Sequence, residues 1–326
     1  MQPGAHGAGR GHARVSPQLS RRAVVGSTGL ALLGACAAPR RLTSPFSVGE
    51  GPPALRVPRG ACDSHIHIID PRFPAVPGWK GEPVNDASVA AYRRFQARIG
   101  TERVVVVTPS TYGADNRATL DALDRFGASA RGVIVIDSDA PPPDLSSLTT
   151  RGVRGIRVNF VSPQPWGKTD ARRLADTARI AADLGWHIQI YARGPQIAEM
   201  ETVLAALPVP LMIDHLGAVA PADSTGPGHA ATLRLLENGR TWLKLSGAYI
   251  SSVSGSDYRD LDAIAQSYVR ASPERLVWGS DWPHRGQTGR LPDDAVLFDL
   301  LGRWAPDTAT RDRILVDTPR RFYAFD

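Results

Sequence analysis

The chain has 326 residues, 42% of them hydrophobic and 21% charged, which is the composition of a globular protein large enough for one large α/β domain and excludes a disordered one. Its net charge of +6 lies wholly in residues 1–58, where seven arginines (Arg10, Arg14, Arg21, Arg22, Arg40, Arg41 and Arg56) face one acid, Glu50. The rest is neutral, so the high isoelectric point gives no support to nucleic-acid binding by the folded part.

In chain order, the first element is a leader over residues 1–37. Ser20-Arg21-Arg22 precedes an apolar run over 23–35, too short and Gly-rich to span a bilayer as a mature helix, which reads as a twin-arginine export signal. The run ends Leu33-Gly34-Ala35-Cys36, which resembles a lipobox with an acylated cysteine, while Ala35-Cys36-Ala37 also fits a small-x-small cleavage site. The expected location is therefore the periplasm, either free or as a lipoprotein anchored through Cys36. Residues 38–58, rich in Pro, Gly and Ser, read as a flexible linker. Cys62 then has no disulfide partner and reads as a small core residue.

From residue 59 to 326 short β-branched runs alternate with helical periodicity. Eight strands are expected: CDSHIHII from Cys62, RVVVVT from Arg103, GVIVID from Gly132, GIRVNF from Gly155, WHIQIY from Trp186, PLMID from Pro210, TWLKLS from Thr241 and RLVWGS from Arg275. Helices are expected after caps at Asp86, Asp115 or Asn116, Asp170 and Asp257, with two closing helices near 293–304 and 307–323. This rhythm predicts a (β/α)8 TIM barrel. A doubly wound sheet is the alternative, but no Gly-rich phosphate loop follows the first strand.

A barrel puts its chemistry at the carboxyl ends of its strands. His65 and His67 share one face of the first strand by the period of two, Arg157 and Asn159 end the fourth, Gln189 and Tyr191 the fifth, Asp214 and His215 the sixth, Ser280 and Asp281 the eighth. Singly, each has a structural explanation, such as a hydrogen-bonded core histidine or an ion pair at Arg157. Together they are more polar groups than a core holds unless paired or hydrated.

The phrases Asp63-Ser-His65-Ile-His67, TPSTYGADN from Thr108, RGIRVNF from Arg154, MIDHLG from Met212, LSGAY from Leu245, VWGSDWPH from Val277 and ILVDTPRRFY from Ile314 resemble the amidohydrolase superfamily. The branch they are similar to contains 2-pyrone-4,6-dicarboxylate lactonase, sugar lactonases and galactarolactone isomerase. The resemblance implies that Asp281 activates water, that His65, His67 and His215 surround the attacked carbonyl, that Ser110, Tyr112 and Tyr191 contact substrate, and that Arg157 holds a carboxylate. Asn159 joins the substrate set from the end of the fourth strand, and His284 is a rim or structural residue. The further arginines of the dicarboxylate lactonase pattern are replaced here by Pro163, Ala218 and Ile250. Lys168 and Arg154, more simply read as loop or helix-facing residues, could return some of that charge.

The resemblance also sets the expectation for metals. Binuclear relatives carry a lysine at the fourth strand and a histidine at the fifth, and among Lys80, Lys168 and Lys244 none ends the fourth strand here. No cofactor is expected; a single divalent metal such as zinc would take His65, His67 and Asp281, with or without His215. The expected function is an exported hydrolase that opens a lactone of a small monocarboxylate or sugar-derived substrate. The alternatives are a sugar-lactone isomerase, a metal-dependent decarboxylase on the same barrel, and a binding module without catalysis. The partner is a small molecule, not nucleic acid, and the oligomeric state is open.

Overall fold

The computed structural model describes residues 43–326 apart from 143, 163 and 288; the leader with Cys36, the first linker residues and Pro163 lie outside the described residues. Eight parallel strands follow one another around a nearly closed barrel in chain order. They are β1 (Cys62–Ile66), β2 (Arg103–Val107), β3 (Ala130–Ile134), β4 (Val153–Asn159), β5 (His187–Tyr191), β6 (Leu211–Ile213), β7 (Thr241–Leu245) and β8 (Leu276–Trp278). The circle closes just past β8, where Asp281 N donates to His65 O at 2.9 Å and His67 N to Trp282 O at 2.8 Å. The bonds that close the barrel therefore belong to the residues singled out for chemistry.

Helices lie between and after the strands: α1 (Val89–Ile99), α2 (Arg117–Phe126), α3 (Ala171–Asp183), α4 (Gly194–Ala205), α5 (Pro227–Glu237), the short α6 (Ala248–Ser251), α7 (Asp262–Ala271) and α8 (Asp294–Trp304). Asp170 caps α3 as expected, its carboxylate accepting from Arg173 N. Ser88 rather than Asp86 caps α1. Asn116 sits at the start of α2 without capping it. Its Oδ1 instead accepts from Thr108 Oγ1 at 2.8 Å and Val135 N at 2.9 Å, which pins the end of β2 to the end of β3.

Three expectations need correction. Among the described residues β3 is followed by a 3-10 turn (Ser146–Thr149) and no α-helix, because Pro141-Pro142-Pro143 withholds the N–H groups a helix needs. The second closing helix is broken into α9 (Thr308–Asp312), a π-helical turn (Arg313–Asp317) and α10 (Thr318–Phe322). Residues 43–58, expected as part of a flexible linker, are docked on the barrel. The buried Arg98 donates to Gly51 O, Ser47 Oγ and Val48 O at 2.8, 2.9 and 2.8 Å, and the Asp299 carboxylate accepts from Ala54 N and Leu55 N at 2.9 Å. A segment poor in side chains offers backbone groups, and a buried guanidinium and a carboxylate collect them.

Inside the barrel the amino end is apolar: Cys62, Val105, Val107, Val133, Met212 and Val277 pack with Tyr323 and Phe325. Burial pushes the Cys62 thiol up to about 12, in keeping with an inert core cysteine. Above this layer the interior turns polar.

Candidate active site

Cys62 lies in the apolar interior layer and His65 in the polar one, three residues apart on a strand whose faces alternate. An irregularity in the β1–β2 register between Asp63 and Ile66 supplies the missing residue of parity. Asp63 stabilises it: its carboxylate accepts from Ser280 N at 2.9 Å, Ser280 Oγ at 2.6 Å, His65 N at 3.3 Å and Tyr92 OH at 3.1 Å. One carboxylate thus fixes the bulge on β1 and the residue before Asp281. Gly279 makes this approach of β8 possible, since a Cβ there would meet His65 Cβ at 2.8 Å.

Under His65 lies a charged layer. Lys244 Nζ, from β7, stands 3.2 Å from His65 Nδ1 and 3.4 Å from Asp214 Oδ1, and donates to Gln189 Oε1 at 2.7 Å. Gln189 Nε2 donates to Asp214 Oδ2 at 3.0 Å, and Arg157 Nε lies 3.6 Å from the same oxygen. Burial lowers the Lys244 ammonium to about 8, and Asp214 opposes that fall. Burial alone would raise Asp214, but Lys244 and His65 outweigh it and hold the carboxyl well below its usual range. His65 is kept neutral by burial, with Lys244 adding to the effect.

Above this layer Asp281 meets three imidazoles. Its Oδ1 lies 3.6 Å from His65 Nε2, 3.5 Å from His67 Nε2 and 3.9 Å from His215 Nε2. His67 Nδ1 is 2.8 Å from Val107 O, an acceptor only, so Nδ1 carries a proton. His215 Nδ1 is 3.0 Å from Ser246 Oγ, and its ring stands edge-on to Tyr191. Burial opposes the Asp281 charge, but the histidines, His215 first, more than offset it and the group stays ionised. Asp281, His215 and His284 all have positive φ, of 62°, 54° and 63°, a conformation rare for residues with a Cβ and common at functional sites.

The donors His65 Nε2, His67 Nε2 and Asp281 Oδ1 are separated by 3.3, 3.6 and 3.5 Å. Ligands around a tetrahedral zinc with bonds of ~2.0–2.1 Å stand ~3.3 Å apart, so these residues fit a single divalent cation. Such an ion would polarise a substrate carbonyl. His65, Asp214 and His215 form a second group of the same kind.

The cleft above Asp281 encloses ≈ 380 Å³ and is lined, from the expected set, by His67, Ser110, Arg157 and Tyr191, and also by Ile250. Two residues of the expected substrate set are placed elsewhere. Tyr112 is buried, its hydroxyl accepting from Asp70 N at 2.9 Å and donating to Asp70 O at 3.2 Å, so it holds a loop. Asn159 spends its side chain on Ser110 Oγ and on the N–H groups of Val161 and Ser162, bracing the wall of the cleft. Of the two roles expected for His284, rim or structural, burial against Asp294 and Tyr249 favours the structural one. Arg154 donates to Thr149 O and Val153 O by the opposite end of the barrel, Lys168 is exposed, and Ala218 follows His215 with a φ of 43°. Sequence reasoning missed Lys244, although TWLKLS carries it at the period-two position between Trp242 and Ser246, and it missed Tyr249 on α6 and Arg193 and Arg285 in the loops around the cleft. Arg285 is paired with Glu82 at 3.1 Å, whereas Arg193 is exposed.

Comparison with known proteins agrees with this geometry. The chain is 35% identical to a 2-pyrone-4,6-dicarboxylate hydrolase of Comamonas testosteroni, over 83% of this chain and 92% of the relative. It is 34% identical to a 4-sulfomuconolactone hydrolase of Rhizobium radiobacter, covering 88% and 95%. A D-galactarolactone isomerase of Agrobacterium fabrum is 32% identical, covering 82% and 91%. Residues 62–325, which include every side chain of the site, match the amidohydrolase family, and the chain belongs to it.

Proposed function

We propose that the protein is a lactonase-type hydrolase in which Asp281 activates the attacking water. The observation that carries the reading is the convergence of one ionised carboxylate oxygen and three imidazole nitrogens, within 3.5 to 3.9 Å, below a cleft walled by Arg157. Asp281 Oδ1 takes a proton from water, the resulting hydroxide bonds to the lactone carbonyl carbon, and the imidazole N–H groups and Tyr191 OH stabilise the oxyanion. The ring C–O bond then breaks, the proton returns to the departing alkoxide, and a hydroxy acid leaves. Arg157 is suited to a substrate carboxylate: it lines the cleft with its guanidinium over the Tyr191 ring, and it is the Nε that lies 3.6 Å from Asp214.

A small monocarboxylate or sugar-derived lactone is the substrate we favour, because the sequence has Ala218 and Ile250 where the dicarboxylate lactonase pattern it resembles has arginines, and of the two other arginines lining the cleft Arg285 is paired with Glu82. Turnover needs no metal in this reading. Lys244 and Arg157 flank Asp214, and the three histidines hold Asp281 ionised, so both carboxylates have partners without a cation. The leader sequence supports action outside the cytoplasm. An isomerase reading rests on the similarity to the galactarolactone isomerase; a substrate hydroxyl would then replace water.

The test is a lactone panel followed by pH-stat and proton NMR on protein whose metal content has been measured. Acid release with a ring-opened product supports the hydrolase. A new lactone without acid release replaces it by the isomerase, and activity that requires stoichiometric zinc overturns the metal-free reading.

A further inference from the structure

The two oxygens of Asp281 have different surroundings. Oδ1 faces the three imidazoles, whereas Oδ2 accepts a 2.6 Å hydrogen bond from the hydroxyl of Tyr249 in α6. A phenol has one proton to give, so Tyr249 can only accept from its second partner, His284 Nδ1, at 3.1 Å. His284 Nε2 in turn lies 2.9 Å from Asp294 Oδ2, a carboxylate oxygen, so both ring nitrogens face acceptors. Burial disfavours a charge on the ring, but Asp294 outweighs it and raises the His284 pKa. The chain Asp294, His284, Tyr249, Asp281 is thus a row of hydrogen bonds with a single direction, ending on the proposed base.

Helix packing does not account for the row. Asp294 is wholly buried in the first turn of α8, but Asp293 is the residue that caps that helix. Among the described residues Asp294 Oδ1 has no hydrogen-bond partner, and Oδ2 faces His284 Nε2. Asp281 and His284, at the two ends of the loop carrying the row, both have left-handed backbone conformations. Tyr249 lines the cleft and also a neighbouring cavity of ≈ 660 Å³, and its ring packs against the core and edge-on to His284.

We infer that Tyr249, itself fixed by the His284–Asp294 pair, is a positioning residue for Asp281: it occupies Oδ2 and so leaves Oδ1, the oxygen facing the histidines, to take the proton from water. The inference rests on the reading of Asp281 as the base. In that arrangement the carboxylate cannot turn its plane toward the cleft mouth without breaking a charge-assisted bond.

Tyr249→Phe removes the hydroxyl and keeps the ring. On whichever lactone of the panel is turned over fastest, kcat falls about 10- to 100-fold, in the range found for groups that orient a catalytic side chain, while KM stays within about 2-fold. Adding Asp294→Asn to Tyr249→Phe costs nothing further, because both act through one chain; two independent structural losses would multiply. A crystal structure of Tyr249→Phe shows the Asp281 carboxylate rotated away from His67 and His215, a readout that needs no substrate and stands even if no lactone is turned over. An unmoved Asp281, an unchanged kcat, or a loss confined to KM each overturns the inference. Absence of lactone turnover in the parent protein with a rotated Asp281 in the variant overturns the proposed function and leaves the positioning intact.

Discussion

The two ends of the barrel each bury histidine, and they use it oppositely. At the carboxyl end both nitrogens of His65 face charged or ring partners: Nδ1 toward Lys244 and Asp214, Nε2 toward His67 and Asp281. Toward the amino end His187, on β5, packs 4.6 Å from the Phe322 ring and 5.5 Å from Tyr323, and its Nε2 has no partner. Its ring fills the space a side chain at residue 155 would take, since a Cβ on Gly155 would meet it at 2.4 Å. Burial lowers the pKa of both, His187 to about 3. Burial of an imidazole therefore makes a neutral spacer, and a site arises only where charged groups from several strands converge on it.

The comparison breaks most sharply at the carboxyl end. Asp281→Asn keeps the volume and the Tyr249 hydrogen bond but removes the proton acceptor, and kcat falls by about 10²- to 10⁴-fold with a circular-dichroism melting curve like that of the parent. Retained turnover would remove Asp281 from the mechanism. Next comes the layer beneath it. Lys244→Met strands the Asp214 charge in the interior, with a cost of about 3–5 kcal/mol in urea unfolding. The double variant Lys244→Met/Asp214→Asn recovers most of that loss, because the uncompensated charge goes too. If the double variant is no more stable than the single, the layer is not a charge-balanced unit.

How far these ends could be told apart from sequence follows from the same physics. The strands were legible because β-branched runs separated by helical periods are local signals, and His65, His67, His215 and Asp281 were legible because strand ends of a barrel converge by geometry. Lys244 was not, since one lysine in an apolar strand does not reveal whether it points to solvent or to Asp214 on the neighbouring strand. Tyr112 and Asn159 were placed at the substrate because they lie in loops beside the cleft, but the partners that claim them, Asp70, Ser110, Val161 and Ser162, are set by how those loops fold back. The docking of residues 43–58 was hidden for a related reason: its partner Arg98 lies on α1, about 50 residues along the chain. Local composition reports what a segment lacks and not what collects it.

The smallest effect at neutral pH belongs to the amino end, and there pH sharpens the contrast. His187→Leu replaces a neutral ring by an apolar side chain among aromatic rings, so at pH 7 it shifts stability by less than about 1.5 kcal/mol and leaves turnover unchanged. The sign of its pH dependence follows from the two pKa values. The native state holds His187 neutral down to about 3, whereas in the unfolded chain it takes up a proton near its ordinary value of 6.5. Between those values the unfolded state binds the extra proton, so His187 costs the parent protein stability as pH falls through that window, by at most about 1.4 kcal/mol per pH unit. His187→Leu lacks this cost. Its stability relative to the parent therefore rises from pH 7 to pH 4.5 in urea unfolding, and a pH-independent difference would show that His187 is protonated in the native state and plays more than a spacer's part.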